Sequence, residues 1–463
     1  MRLNGKHVLV LGLGESGLAM ARWLAHAGAI VRVADSRAEP PGAEDLVEHV
    51  PRAEVRLGAF DLPLLSGIDL IAISPGLSQR EPLVQEAKRR GIALTGEIEL
   101  FARGLRDLGE RERCRIIAIT GTNGKTTVTT LCGAMARAAG VKAEVAGNIS
   151  PAALARLRDC AERKQFPELW VLELSSFQLE TTETLDAEAA TVLNLTDDHL
   201  DRYQDLDGYA AAKARIFAGN GVQVLNRQDS RVAAMALTGR RVVSFGLDQP
   251  TPGNFGLVPA ESVPWLAQGT TPLLAVSALP LAGLHNAANA LAALALCEAV
   301  GLPRPPMLAA LGGFRGLPHR VEKVADWRGI AFYDDSKGTN VGATVAALHG
   351  LQRKVVLIAG GDGKGQDFSP LGDAVAQYAC AVVLIGRDGQ RIADALAGRG
   401  VPQAFAADMD EAVRRSVELA RPGEAVLLSP ACASFDMFRG YAHRAEVFVA
   451  AVQSLIAREG RAA

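Results

Sequence analysis

The sequence lacks the marks of several protein classes. Its six cysteines, at positions 114, 132, 160, 297, 380 and 432, form no Cys-x-x-Cys pair. That removes the usual signal for a zinc site or a disulfide framework. It leaves free thiols in a reducing compartment as the expectation. No stretch approaches the ~20 apolar residues that cross a bilayer. The first apolar run, Val8 to Leu13, is interrupted by glycine and too short for a secretion signal. A cytoplasmic protein without membrane insertion is expected. The 49 Lys and Arg face 51 Asp and Glu, a formal net charge of −2. A nucleic-acid surface needs a clear basic excess, so this composition argues against one while leaving room for a local basic patch. No internal repeat or low-complexity tract is present.

What is present fits a globular protein with real cores: 463 residues, 49% hydrophobic and 22% charged. That length suggests about three domains at ~150 residues each. Short apolar runs alternate with helical stretches, the pattern of parallel α/β sheets. Strands are expected at His7–Leu11, Ile30–Ala34 and Asp69–Ile73, with a helix over about Ser16–Ala27. The charged stretch Arg103–Arg115 reads as an exposed connection or a helix extension. Further strands are expected at Arg115–Ile119, Leu169–Leu172, Thr191–Asn194 and Gly221–Leu225, and then at Ile330–Tyr333, Val355–Ile358, Ala381–Ile385 and Ala425–Leu428. Pro303-Arg-Pro-Pro306 should open a helix. Ligands in open α/β sheets sit outside the carboxyl ends of the strands, so the polar residues that follow these runs are the ones to weigh.

Gly121-Thr122-Asn123-Gly124-Lys125-Thr126-Thr127 follows a predicted strand and opens a helix. Backbone N–H groups at a helix start attract a phosphate; Lys125 adds charge and Thr126 can ligate Mg²⁺. The strict pattern wants glycine where Ile119 stands, so this is a variant phosphate loop for ATP. Gly12-Leu-Gly14-Glu-Ser-Gly17, with Asp35 ending the next strand, satisfies a dinucleotide fingerprint. Alone it suggests a nicotinamide cofactor with Asp35 on the ribose, but any nucleotide diphosphate, or none, could use the same turn. Glu173 ends an apolar strand; it is either a Mg²⁺ ligand beside the phosphate loop or an exposed strand-end carboxylate. His199 sits among Asp197, Asp198 and Asp201 after a buried strand, which favours metal or substrate contact. Lys213 alone reads as a solvated helix lysine.

Taken together, these motifs resemble the Mur ligases of peptidoglycan synthesis. The resemblance rests on Thr120–Thr127, Gly147-Asn148-Ile149, Glu173-Leu-Ser-Ser-Phe-Gln178, Asp198-His199-Leu-Asp-Arg202 and Lys213. It continues through His285-Asn286-x-x-Asn289, His319-Arg320, Asp335-Ser-Lys337-x-Thr339-Asn340, Gly360-Gly-Asp-Gly-Lys364 and Ser429-Pro-Ala-Cys-Ala-Ser434, covering nearly the whole chain in order. It implies an α/β protein of three domains: a Rossmann-like UDP-binding domain over 1–98, a P-loop-type ATPase domain over 99–316 and a Rossmann-like glutamate-binding domain over 317–463. It implies a monomer with UDP-MurNAc-L-Ala, D-glutamate and ATP as small-molecule substrates. The substrate carboxylate takes the γ-phosphoryl group, and the amine of glutamate displaces phosphate from the acyl phosphate.

Residue roles follow from the resemblance. Gly14, Glu15, Ser16, Ser36 and Arg37 match uridine-diphosphate contacts, which recasts the first glycine motif as a substrate cradle. A carboxylate beside a pyrophosphate is unfavourable, so Glu15 should contact it through backbone only. Asn148 and His199 match positions that meet the muramoyl part. Thr126 and Glu173 match ligands of one Mg²⁺, and His199 and Lys213 those of a second, with Lys213 carbamylated. The carbamate makes chemical sense: an ammonium cannot ligate Mg²⁺, whereas an anionic oxygen can. Lys125, His199 and Lys213 are the implied catalytic set. Asn286 and Asn289 match adenine contacts, Arg320 a phosphate contact and Asp335 a ribose contact. Lys337, Thr339, Lys364, Ser434, Phe435 and Tyr441 match the region that receives glutamate.

Alternatives stay in view. Use of L-glutamate is one; another amino-acid ligase, such as a folylpolyglutamate synthase, is a second. The N-terminal UDP-type unit speaks against the folate enzyme. A nucleotide sensor would have no reason to keep Lys125, Glu173, His199 and Lys213 together, and an oxidoreductase leaves the ATP loop unexplained.

Overall fold

The computed structural model describes residues 3–199, 202–260, 263–280, 283–351 and 353–460. They form three sheets. By contact the chain divides into two units: Met1–Leu195 with Asp207–Leu274 and Ala290–Leu311, and Thr196–Leu206 with Ala275–Asn289 and Gly312–Ala463. The α/β class expected from alternating apolar runs is the class observed.

The first sheet holds β1 (His7–Leu11), β2 (Ile30–Asp35), β3 (Glu54–Leu57), β4 (Leu70–Ile73) and β5 (Ala93–Thr95), all parallel, in the order β3-β2-β1-β4-β5. The winding reverses between β1 and β4, so a crevice opens at their carboxyl ends. β1 beyond His7 and all of β4 are buried, which is why they read as continuous apolar runs. The edge strands β3 and β5 escaped that reading; β3 is Glu-Val-Arg-Leu and largely exposed.

The second sheet belongs to the same unit. It holds β6 (Arg115–Thr120), β7 (Ala143–Gly147), β8 (Leu169–Glu173), β9 (Ala189–Val192), β10 (Val222–Asn226), β11 (Val242–Phe245), β12 (Phe255–Ala260), β13 (Val263–Gln268) and β14 (Thr271–Ala275). Their order is β14-β13-β12-β11-β10-β9-β6-β8-β7. β6 lies between β8 and β9, parallel to both, and runs into the helix Lys125–Ala138. The expected strand at Thr191–Asn194 lies earlier, leaving Asn194 in the loop after β9. β7 and the strands β11 to β14 were not foreseen.

The stretch Arg103–Arg115 is both things expected of it, a helix end followed by a largely exposed connection to β6. Its first part ends the helix Glu97–Asp107, in which Phe101, Gly104 and Leu105 are buried. A Cβ on Gly104 would meet the Trp23 ring at 2.5 Å, and Phe101 packs edge-on against Trp170. This helix, Glu15–His26 and Ala153–Arg163 pack on one another.

The third sheet lies in the other unit. It holds β15 (Glu322–Trp327), β16 (Ile330–Asp334), β17 (Val355–Gly360), β18 (Ala379–Ile385), β19 (Gln403–Phe405) and β20 (Ala425–Leu428), in the order β15-β16-β20-β17-β18-β19. Only β15 pairs antiparallel. Helices cover both faces, over cores centred on Leu357 and Leu384 on one side and Val356 and Phe448 on the other. The helix expected at the proline-rich patch is Arg304–Gly313. All six cysteines are free. Among the described residues no helix is long and apolar enough to cross a membrane.

Candidate active site

The crevice of the first sheet is a cavity of about 390 Å³ whose lining includes Gly14, Glu15, Ser16, Ser36 and Arg37. Gly12 has φ +85°, and a Cβ on Gly17 would lie 1.8 Å from the Gly12 carbonyl oxygen. The tight turn therefore requires glycine at both positions. Asp35 is buried and both of its oxygens are occupied. Oδ2 accepts from the Leu13 N–H at 2.7 Å and from Arg37 Nη2 at 2.7 Å. Oδ1 accepts from the Arg37 N–H and Nε at 2.9 Å each. The Arg37 hydrogen bond holds this carboxyl down at about 2. Asp35 thus braces the glycine turn and orients Arg37 instead of reaching for a ribose, which removes the main support of a nicotinamide reading.

In the second sheet, β6 delivers the phosphate loop. Gly124 has φ +82° and is the N-cap of the helix Lys125–Ala138 without a side-chain cap. Its first N–H groups face the loop, the arrangement that attracts anions. Asn194, after β9, fixes the loop from outside. Its carbonyl oxygen accepts from the Thr122 N–H at 2.9 Å, and its side chain accepts from the Asn123 N–H at 2.8 Å and donates to the Asn123 carbonyl at 3.1 Å. Lys125 Nζ donates to the Gly121 and Thr122 carbonyls at 2.7 and 2.8 Å, which places its charge inside the loop. Thr122, Thr126 and Thr127 are buried.

Glu173 ends β8, next to β6, and is 2% exposed. Its Oε1 accepts from Asn148 Nδ2 at 2.9 Å, and its backbone carbonyl accepts from the Asn148 N–H at 2.7 Å. Its Oε2 is buried with no hydrogen-bond partner among the described residues. An unsatisfied buried carboxylate oxygen is costly unless a proton or cation meets it, so this atom fits a metal ligand. The exposed strand-end reading of Glu173 is excluded.

Lys213 overturns its own plain reading. It lies on the helix Leu206–Ala214 and is 1% exposed. Nζ donates to the Gly121 carbonyl at 3.0 Å and to Thr120 Oγ1 at 3.3 Å, and sits 4.5 Å from the Tyr209 ring centroid. The buried amine therefore touches the phosphate loop. Two residues on, Arg215 donates to the Leu179 and Thr182 carbonyls at 2.7 and 2.9 Å, anchoring this stretch to the segment after Glu173.

In the other unit, Asp198 accepts from Lys364 Nζ at 3.2 Å and from Asn340 Nδ2 at 3.4 Å. His199, beside it, has φ +57°. Asp201 lies outside the described residues. Arg320, Asn286 and His285 line one cavity of about 550 Å³ that also carries Arg315, Lys323 and Arg353. Burial, helped by the Arg320 charge, pulls His285 down to about 4, so its imidazole is neutral near pH 7. Asn289 Nδ2 donates to Asn286 Oδ1 at 3.3 Å. Asp335 follows β16 and is 6% exposed; burial raises it to about 7, against a hydrogen bond from Ser429 Oγ at 2.6 Å. Lys337 Nζ lies 5.1 Å from the Tyr441 ring centroid. Thr339 is half-buried, Ser434 buried and Phe435 exposed.

Two contributors escaped the motif reading. Asn194 was visible only as a polar residue after a strand. Arg444 sits in the amphipathic helix Tyr441–Gly460 and is fully buried. It donates to Ser336 Oγ and carbonyl at 3.0 and 2.7 Å and to the Cys432 carbonyl at 3.1 Å, joining the loops that carry Lys337 and Ser434. Cys432 itself is fully buried, and burial pushes its thiol up to about 12, so it packs and does not react.

A phosphate-type loop, a buried carboxylate oxygen fit for a cation and a separate cavity behind a glycine turn are the features of a nucleotide-using α/β enzyme. The chain belongs to the Mur ligase family. The Mur ligase MurD-like N-terminal domain matches residues 6–96, the Mur ligase middle domain residues 119–297 and the Mur ligase glutamate ligase domain residues 319–432. The chain is 62% identical over 457 residues to the UDP-N-acetylmuramoylalanine–D-glutamate ligase of Aromatoleum aromaticum, covering 98% of both chains. It is 55% identical over 472 residues to the enzyme of the same name from Thiobacillus denitrificans, covering 100% of this chain and 99% of that one. Among solved structures it is similar to MurF from Acinetobacter baumannii, at a TM-score of 0.63 and 18% identity over 95% of this chain and 93% of that chain. It is also similar to the UDP-N-acetylmuramate-alanine ligase MurC from Thermotoga maritima, at 0.59 and 21% over 97% and 99%. At those identities the structures speak for the fold alone.

Proposed function

We propose that the chain uses ATP to join D-glutamate to UDP-N-acetylmuramoyl-L-alanine, forming ADP, phosphate and the amide, as a monomer in the cytoplasm. The observation that carries the ATP half is the pairing of the phosphate loop with the buried Glu173 oxygen that no donor among the described residues meets. The names of the two relatives carry the choice of substrates. In this reading residues 1–98 bind UDP, 99–316 bind ATP and 317–463 receive glutamate.

The residues divide the work. Gly14, Ser16, Ser36 and Arg37 hold the uridine diphosphate, with Arg37 aimed by Asp35. Asn148 and His199 meet the muramoyl part. Gly121 to Thr127 cradle the ATP phosphates, Asn286 and Asn289 take the adenine, Asp335 the ribose and Arg320 a phosphate. Lys337, Thr339, Lys364, Ser434, Phe435 and Tyr441 receive glutamate. The muramoyl-alanine carboxylate attacks the γ-phosphorus and ADP leaves, giving an acyl phosphate. The glutamate amine then attacks the acyl carbon, and phosphate leaves as the amide forms. Lys125 and Arg320 offset the charge on the transferring phosphoryl group.

Thr126 and Glu173 fit one Mg²⁺. His199 and Lys213 would hold a second only if Lys213 carries a carbamate, since its ammonium cannot ligate a cation. Bound Mg²⁺ supplies Lewis-acid charge neutralisation at the phosphates. The test is phosphate release by the purified chain with ATP, Mg²⁺, UDP-MurNAc-L-Ala and each glutamate enantiomer in turn. Release with D-glutamate alone supports the reading; release with L-glutamate alone replaces it.

A further inference from the structure

The helix Ala153–Arg163 begins at Ala152, which has no side chain to cap it. The first N–H groups of a helix need partners, and here carboxylates from two other helices supply them. Glu15, the first residue of the helix after the glycine turn, accepts from the Ala152 N–H at 3.0 Å and from Ser150 Oγ at 2.9 Å. Glu97 accepts from the Leu154 N–H at 2.6 Å and from Gln178 Nε2 at 3.4 Å. Gln178 in turn closes a capping box with Ser175, two residues after Glu173. The same segment starts at Asn148, which holds Glu173 through both its N–H and its side chain. Residues 148–154 are thus pinned at three points: the metal-ligand candidate Glu173, the buried Glu97 and the rim of the nucleotide-diphosphate cavity at Glu15.

We infer that Glu15 and Glu97 are positioning residues that hold the 148–154 segment, so that occupation of the uridine-diphosphate cradle is coupled to the placement of Asn148 and the Glu173 carboxylate. The inference deepens the ligase reading and rests on it. Glu15 shares its turn with the residues that would grip the pyrophosphate and lines the same cavity, yet one of its carboxylate oxygens accepts from two donors of the second sheet's domain. Hydrogen bonds to an ionised group are the strong ones. Any shift of the turn on nucleotide binding is therefore felt at Ser150 and Ala152, two and four residues from Asn148. A glutamate that merely neighboured the pyrophosphate would behave differently: removing its charge would tighten nucleotide binding and leave the segment unchanged.

The test uses the full metal-free chain and its variants Glu15→Leu and Glu15→Gln, followed by amide hydrogen exchange with and without saturating UDP. Exchange of the peptide over 148–156 should be about 10-fold faster in Glu15→Leu, near wild type in Glu15→Gln, whose carbonyl still accepts, and slowed by UDP only where the acceptor remains. Glu97→Leu should accelerate the same peptide. In phosphate release, kcat should fall about 10-fold in Glu15→Leu and clearly less in Glu15→Gln. Exchange in Glu15→Leu equal to wild type, or UDP protection that persists in it, overturns the inference. A wild-type chain that shows UDP protection but releases no phosphate overturns the ligase reading and leaves the coupling standing.

Discussion

Replacing Glu97 with glutamine should make the protein more stable at alkaline pH and leave it nearly unchanged at acid pH. The carboxyl is 2% exposed, and burial raises it from 4.5 to about 7. Its hydrogen bonds from Leu154 and Gln178 oppose that rise but do not cancel it. A carboxyl raised in the folded state binds a proton there that the unfolded chain releases, so stability falls as pH climbs from about 4.5 to about 7. The shift of about 2.5 units corresponds to about 3 kcal/mol at 1.36 kcal/mol per unit. Glutamine keeps the shape and a carbonyl acceptor for the Leu154 N–H, and has no charge to bury. Urea unfolding of wild type and Glu97→Gln at pH 5 and pH 8 gives the answer as a difference of differences. That design removes other groups that titrate in the same range, such as Asp335. The variant should gain about 2–3 kcal/mol over wild type between the two pH values. A gain below about 0.5 kcal/mol would refute the claim that a buried charge resides at Glu97.

Other outcomes follow from the same geometry. Lys213→Ala should abolish turnover, and a small added carboxylate should restore part of it; restoration by a small amine instead would show that the ammonium, and not a carbamate, is the working group. Asp35→Asn should destabilise the protein by about 1 kcal/mol at pH 7, since it loses the charge on a bond shared with a half-exposed arginine. Because the Asp35 carboxyl is depressed to about 2, its contribution is present above its ordinary value of about 3.8 and fades as pH falls toward 2. A loss as large at pH 3 as at pH 7, measured by denaturant unfolding, would contradict this.

Much of the site was legible because its residues lie in order on strand ends. Gly121 to Thr127 needed only a strand before and a helix after, and both are present. Glu173 was legible as the end of an apolar run, though its orphaned oxygen was not, since that depends on which neighbours fail to reach it. Lys213 could not be read from its own helix: Ala-Ala-Lys-Ala carries no sign that the amine turns under the phosphate loop. Asp35 was misleading in isolation, because a carboxylate at that strand end can brace a turn as well as bind a ribose, and only the contacts of Arg37 decide between them. Glu15 was expected to keep its carboxylate off a pyrophosphate, but its partners Ser150 and Ala152 are more than 130 residues away in sequence. β3 was missed because an edge strand needs little apolar character. Arg444 was hidden because a charged residue in a terminal helix ordinarily faces water.

The measurement that bears most directly on the account is phosphate release with ATP, Mg²⁺, UDP-MurNAc-L-Ala and D-glutamate, run beside Lys125→Ala. The wild-type chain should release phosphate only when all substrates are present and with D- but not L-glutamate, and Lys125→Ala should release none. Unchanged release by Lys125→Ala, or no release by the wild type with D-glutamate, would contradict it.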